Sequence, residues 1–197
     1  MLPPVLRSSS VAVSLAALAC GPSPEASGEQ PQGVEVQAGW YYSLNEPLRL
    51  CTDGGTLPLR PAPQGGHWAF VAARVHGISD GEVEVKARFY DATSGELVFA
   101  DRRVGEVGPS KGAPGYVEPD LDLRGAIVHV PACPLNDALP VFRRPLRLVL
   151  EVTGRRPQAA SGSTELVVTP DCSAGTPGEI AVCECECSPD YDPGKCY

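Results

Sequence analysis

The uneven distribution of cysteine constrains the fold more than any other feature of this sequence. Five of the eight cysteines lie in the last 26 residues, where Cys183, Cys185 and Cys187 alternate with glutamates. A segment of this size is too short to bury a hydrophobic core, so disulfide bonds would have to stabilise it. We therefore predict a cysteine-rich tail, residues 172–197, attached to a larger domain.

Disulfide bonding is the expected chemistry of these cysteines if the protein is exported. Cysteines two positions apart bond poorly to each other, so each member of the trio should reach a different partner. An extended trio would place all three sulfurs on one face. The candidate half-cystines are Cys51, Cys133, Cys172, Cys183, Cys185, Cys187 and Cys196.

Two other chemistries remain open for Cys183, Cys185 and Cys187. Three thiolates could bind a soft metal, copper(I) or zinc, although no histidine accompanies them. Redox exchange is less favoured because the C-x-x-C spacing is absent and the neighbouring glutamates would raise the thiol pKa. We expect disulfides here, with no metal and no cofactor.

The spacing of Cys185, Cys187 and Cys196, with Tyr191 between the last two, resembles the second half of an EGF-like module. The resemblance covers residues 185–196, and the first half of the module lacks its full cysteine set. It implies a disulfide-stapled hook at the end of the chain rather than a complete module.

The first twenty residues have the composition of an export signal. Arg7 precedes an apolar run over residues 11–19 that is too short to span a bilayer. The run ends in Ala17-Leu18-Ala19-Cys20, which resembles the lipobox of bacterial lipoproteins and also fits ordinary A-x-A cleavage. The resemblance implies a signal peptide at 1–19, acylation (palmitate) of Cys20, a tether over 20–33 and an outer-membrane location.

Residues 34–171 carry the period-two pattern of β-strands. Val83, Val85, Ala87 and Phe89 alternate with charged residues, and 82–104 is predicted to form a hairpin. A second hairpin is predicted over 146–168. About eight short strands and no convincing helix indicate an all-β fold, an antiparallel β-sandwich of immunoglobulin-like or related type.

Few residues within 34–171 indicate a catalytic or binding function. The net charge of -8 argues against nucleic-acid binding, and no hydrolase, metalloprotease or nucleotide-binding motif occurs. The three histidines are expected to be hydrogen-bonded strand residues. Three adjacent aromatic residues could stack on a sugar or peptide, although core packing is the alternative; they are Trp40, Tyr41 and Tyr42.

These observations predict a non-enzymatic, lipid-anchored envelope protein that binds an unknown protein or glycan. The alternative is an envelope soft-metal or thiol protein that uses Cys183, Cys185 and Cys187. Acylation of Cys20 would leave seven cysteines and therefore one unpaired thiol, which we place within that trio. Ordinary cleavage of the signal would leave all eight, enough for four disulfides.

Overall fold

A ten-residue strand, β5 (His67–His76), is covered on both faces. Ala69, Val71 and Val75 pack into the main core, whereas Phe70 and Ala72 pack into a smaller cluster on the other face. In the sequence, Trp68, Phe70, Val71 and Val75 put apolar groups on both faces of a strand over 68–75, which predicts such a two-sided strand. The prediction is confirmed. The computed structural model describes residues 33–43, 46–63, 65–121, 124–134, 141–155 and 160–196.

The described residues form an all-β structure with one short helix. The other strands are β1 (Glu35–Trp40), β2 (Arg49–Leu50), β3 (Gly55–Pro58), β4 (Arg60–Pro61), β6 (Gly81–Asp91), β7 (Leu97–Pro109), β8 (Tyr116–Pro119), β9 (Val128–Cys133), β10 (Leu146–Gly154) and β11 (Ser161–Asp171).

Hydrogen bonds join the strands into one mostly antiparallel sheet in the order β2-β1-β5-β8-β7-β6-β10-β11-β3. The pair β11 and β3 is parallel, and β9 and β4 both pair with β5. Although several strands separate them in this order, β1 lies against β10 and β11. The sheet therefore folds back on itself, and its two layers enclose the core of the predicted sandwich.

Both predicted hairpins are present. Strand β6 pairs with β7 and β10 with β11, and the alternating residues of β6 point into the core. Strand β7 continues past Val104, its predicted end, as far as Pro109, and it includes Gly105. A Cβ at Gly105 would lie 2.4 Å from the carbonyl oxygen of Arg124, so this glycine permits a close approach of two backbones.

A helix, α1 (Pro177–Glu186), lies in the cysteine-rich tail, so the trio is helical there and the extended arrangement considered from the sequence does not occur. The expectation of no helix concerned residues 34–171, and α1 lies outside that range. Thr176 caps the helix: its hydroxyl accepts a hydrogen bond from the Glu179 N–H, and Glu179 bonds back to the Thr176 N–H. This capping box, with Pro177 at the first helical position, fixes where the helix begins.

Helical geometry explains how the tail distributes its sulfurs. Residues two apart on a helix point about 200° away from each other, whereas residues four apart share a face. Cys183 and Cys187 therefore face the sandwich together, and Cys185 faces away. This arrangement brings the helix onto one end of the sandwich, where β5 begins and β9 and β11 end.

Candidate cystine and histidine site

A buried polar pair joins β5 to α1. Nδ1 of His67 lies 2.8 Å from Oε2 of Glu186, and each side chain is 3% exposed. These two atoms are at hydrogen-bond distance, and the tautomer of His67 sets which of them donates. The other ring nitrogen of His67, Nε2, is buried with no hydrogen-bond partner.

Three disulfides attach the tail to the sandwich and to itself. Cys187 is bonded to Cys133 at the end of β9, and Cys183 is bonded to Cys172, just after β11. Cys185 is bonded to Cys196, within the tail. Each member of the trio thus has a different partner, as the alternating spacing predicts.

Two of these disulfides touch each other in the core. Sγ of Cys172 lies 3.8 Å from Sγ of Cys187, and the sulfurs of Cys172, Cys183 and Cys187 all lie within 4.8 Å of one another. Cys133 completes the group through its bond to Cys187. None of the four residues is more than 4% exposed. We call this group the four-sulfur cluster.

The polar pair and one disulfide connect the same two parts of the structure. His67 is the cross-strand partner of Cys133, and Glu186 directly precedes Cys187. Side chains of directly opposed residues in an antiparallel pair lie on one face of the sheet. The side chains of His67 and Cys133 therefore lie on the same face of the sheet.

Gly66 allows β5 and β9 to approach at this point. Its φ is +75°, and a Cβ there would lie 2.1 Å from the carbonyl oxygen of Cys133. Both the backbone conformation and the space therefore require glycine. Gly66, which directly precedes His67, therefore packs against the backbone of Cys133, which carries the disulfide.

Ion pairs at the surface hold α1 from outside. The Arg143 guanidinium contacts Asp171 at 2.8 Å and Glu184 at 2.6 Å, which links the end of β11 to the helix. These two carboxylates raise the pKa of Arg143. Because all three side chains are substantially exposed, the contribution of these pairs to stability is small beside that of the disulfides.

The unpaired thiol lies elsewhere than predicted. Among the described residues, Cys51 is the free cysteine, and every member of the Cys183 to Cys187 trio is bonded. All three cysteines of the trio are in disulfides because the helix directs their sulfurs toward three separate partners. Burial raises the pKa of the Cys51 thiol to about 12, so it stays protonated at neutral pH.

The three adjacent aromatic residues do not form one exposed surface. Tyr41 is 3% exposed and packs with Leu48 and Phe70 in the smaller cluster. Trp40 is half-buried under the guanidinium of Arg49, 5.2 Å from the ring centroid. Tyr42 is half-buried, and its hydroxyl bonds to Glu179 of α1. Tyr41 is thus unavailable for stacking on a ligand.

The other two histidines make ring contacts. His129 packs against Trp68 and Phe70, and burial lowers its pKa. His76 packs on the ring of Tyr116, whose hydroxyl donates to Glu35. Neither arrangement brings a histidine together with a nucleophile.

Among the clefts on the described surface, two are considered as binding sites. The larger, about 860 Å³, is lined by turn glycines and by Asp80, Glu82 and Glu106. The smaller, about 550 Å³, combines apolar side chains with charges of both signs. We call the smaller one the mixed cleft; its lining includes Leu48, Arg74, Lys111, Glu118 and Leu121.

Comparison with known proteins adds no relationship. No protein-family model matches the chain, and no curated protein matches it significantly. Among the described residues, no helix is long and apolar enough to cross a membrane. Cys20 and the signal sequence lie outside the described residues, so the lipobox resemblance remains a prediction.

Proposed function

We propose that this protein is a non-enzymatic, lipid-anchored protein of the bacterial envelope that binds a protein or glycan partner. The observation that supports it most is the set of three disulfides, which join Cys133, Cys172, Cys183, Cys185, Cys187 and Cys196. Disulfides of this density are typical of proteins that fold in an oxidising, extracytoplasmic compartment.

The cysteine count supports acylation of Cys20. With six cysteines paired, Cys20 and Cys51 remain. Acylation would use the first of these, and the second is half-buried, with a pKa raised to about 12 that keeps the thiol protonated at neutral pH. Cys20 would then be acylated and Cys51 would be a protonated thiol, so neither residue needs a fourth disulfide.

The mixed cleft is the best candidate for the binding surface. Apolar ligand sites usually combine hydrophobic walls with a few polar groups that fix orientation. Here Leu48 and Leu121 supply the apolar walls, and the guanidinium of Arg74 is held by Glu118, with Nε and Oε1 2.6 Å apart. Lys111 is exposed at the rim, where it can contact a partner.

The burial of His67 and Glu186 supports a non-enzymatic role. This pair is the one place in the described residues where a histidine bonds to a carboxylate, as in a catalytic triad. Since both side chains lie in the interior, an external substrate does not reach them. We therefore assign the pair a structural role, joining β5 to α1.

The anchor is tested by metabolic labelling with a fatty acid in a bacterial host that processes lipoproteins. We expect label in the wild type and in Cys51→Ala, and none in Cys20→Ala, which should also move to the soluble fraction. Undiminished labelling of Cys20→Ala would contradict the anchor.

The binding surface is tested by placing a photoreactive amino acid at Lys111 or, as a matched control, at Lys86 on the outer face of β6. We expect a discrete cross-linked species at Lys111 alone, which Leu121→Asp should abolish. Equal products from both positions, or none from Lys111, would contradict binding at the mixed cleft.

A soft-metal protein is the second candidate, but with a changed set of residues. The structure separates Cys185 from the trio and gathers Cys172, Cys183 and Cys187 instead. Binding would require these sulfurs as thiolates, whereas here they are in disulfides. Metal analysis of protein purified from the envelope tests it; one zinc or copper per chain would favour this candidate over the first.

A further inference from the structure

We propose that Cys133, Cys172, Cys183 and Cys187 form an exchangeable disulfide system with a second bonded state, Cys172–Cys187. The contact that carries this proposal is the 3.8 Å separation between the sulfurs of Cys172 and Cys187, which belong to different disulfides. Thiol–disulfide exchange requires a thiolate beside a disulfide sulfur, and freeing Cys172 creates that situation. The inference goes beyond the proposed function and does not depend on it.

The reaction partner is a dithiol reductant. Because Cys183 is 2% exposed, the reaction begins when α1 opens locally and admits the reductant. One of its thiolates attacks Sγ of Cys183, forms a mixed disulfide, and releases Cys172 as a thiolate. Cys172 then attacks Sγ of Cys187, which forms Cys172–Cys187, breaks Cys133–Cys187 and releases Cys133. The second thiol of the reductant displaces Cys183. In sum, one dithiol is oxidised to its disulfide, and Cys133 and Cys183 each end as a thiol with a proton.

The exchange would change the disulfides that attach α1 to the sandwich. In the observed state, the helix is bonded both to the end of β9 through Cys133 and to the chain after β11 through Cys172. In the second state only the bond to Cys172 remains. The end of β9 and the segment that follows it are then no longer covalently attached to the helix.

The remaining cysteines do not take part. The pKa of the Cys51 thiol is raised to about 12 by burial, which leaves it without the thiolate that exchange requires. Cys185 and Cys196 form the third disulfide and lie outside the group of neighbouring sulfurs. They therefore provide the matched control.

Partial reduction of a variant that keeps all three disulfides tests the proposal directly. The full chain, with Cys20 and Cys51 replaced by serine, is treated with one equivalent of dithiothreitol, alkylated in acid-quenched samples and mapped without reduction. We expect Cys133 and Cys183 to be alkylated together while a Cys172–Cys187 peptide accumulates. Alkylation of Cys172 with Cys183, or of Cys133 with Cys187, without that peptide would overturn the proposal.

A single substitution gives an independent test. In Cys183→Ser the thiol of Cys172 faces the intact Cys133–Cys187 disulfide, so we expect a Cys172–Cys187 bond and a free Cys133. In the control, Cys185→Ser, Cys196 becomes free and the other two disulfides should remain as they are. Thiols begin to ionise over a range of about pH 6 to 9. A Cys183→Ser protein that keeps the Cys133–Cys187 disulfide and forms no Cys172–Cys187 disulfide across this range would overturn the proposal.

Discussion

Nδ1 of His67 and Oε2 of Glu186 are 2.8 Å apart in the interior, although 119 residues separate them in the chain. They join the first residue of the central strand to the last residue of the helix. The Cys133–Cys187 disulfide joins the adjacent positions of the same two regions. A polar bond and a covalent bond therefore fix α1 at one place.

Removal of one partner of this buried pair should destabilise the protein more than a change that keeps a hydrogen bond. In Glu186→Ala, Nδ1 of His67 loses its hydrogen-bond partner, and we expect a loss of about 3 kcal/mol in the free energy of unfolding by urea. Glu186→Gln keeps an acceptor oxygen and should lose less. Equal losses for the two variants would contradict this prediction, because glutamine preserves both the volume of the side chain and a hydrogen-bonding oxygen.

The disulfides should differ in their effect on stability. Cys133–Cys187 closes a loop with a sequence separation of 54, against 11 for Cys185–Cys196. Chain-entropy arguments give losses of about 4 and about 3 kcal/mol for the corresponding double alanine variants. Urea unfolding measures both; a larger loss for the Cys185, Cys196 variant would contradict the importance of the longer link.

The helix cap should contribute measurably to the stability of the tail. Thr176→Ala removes the hydroxyl that accepts from the Glu179 N–H, and we expect a loss of about 1 kcal/mol. Thr176→Ser retains a hydroxyl and should lose only a small part of this. Urea denaturation of both variants checks the prediction, and an unchanged Thr176→Ala would contradict it.

Asp91 should make stability depend on pH at the acid end. Backbone hydrogen bonding from Ser94, followed by the Arg144 guanidinium, lowers the pKa of Asp91 to about 2. Because the pKa in the unfolded chain is about 3.9, this stabilisation is fully present above that value and is lost as pH falls toward 2.

Asp91→Asn should therefore be less stable than the wild type at pH 7, and the difference should shrink between about pH 4 and pH 2. Urea midpoints across this range measure it, with the exposed Asp80→Asn as control. A difference that stays constant down to pH 2 would contradict the prediction.

The β-sandwich could be predicted because its signal is local. The alternation of Val83, Val85 and Ala87 requires one buried face, and the apolar residues between His67 and His76 mark β5, which begins and ends at these two histidines. Strands β3, β4 and β8 have two to four residues, too few to show a period, so the prediction of about eight strands fell short. The Thr176 to Glu179 capping box was a readable signal for α1.

The candidate site could be predicted only in part. The alternation of cysteines indicated separate disulfide partners, but the direction of each sulfur depends on the helix. The pairing of His67 with Glu186 depends on tertiary structure alone, since no local pattern relates residues so far apart. The location of the free thiol at Cys51 follows from the same geometry, because the helix uses all three cysteines of the trio.

Non-reducing peptide mapping of the protein from the bacterial envelope, after alkylation in denaturant, tests the central claim most directly. We predict the three disulfides Cys133–Cys187, Cys172–Cys183 and Cys185–Cys196, one alkylated thiol at Cys51, and a first residue, Cys20, that carries acyl chains. A Cys20–Cys51 disulfide, with no alkylated thiol and no lipid, would contradict the account of a lipid-anchored envelope protein.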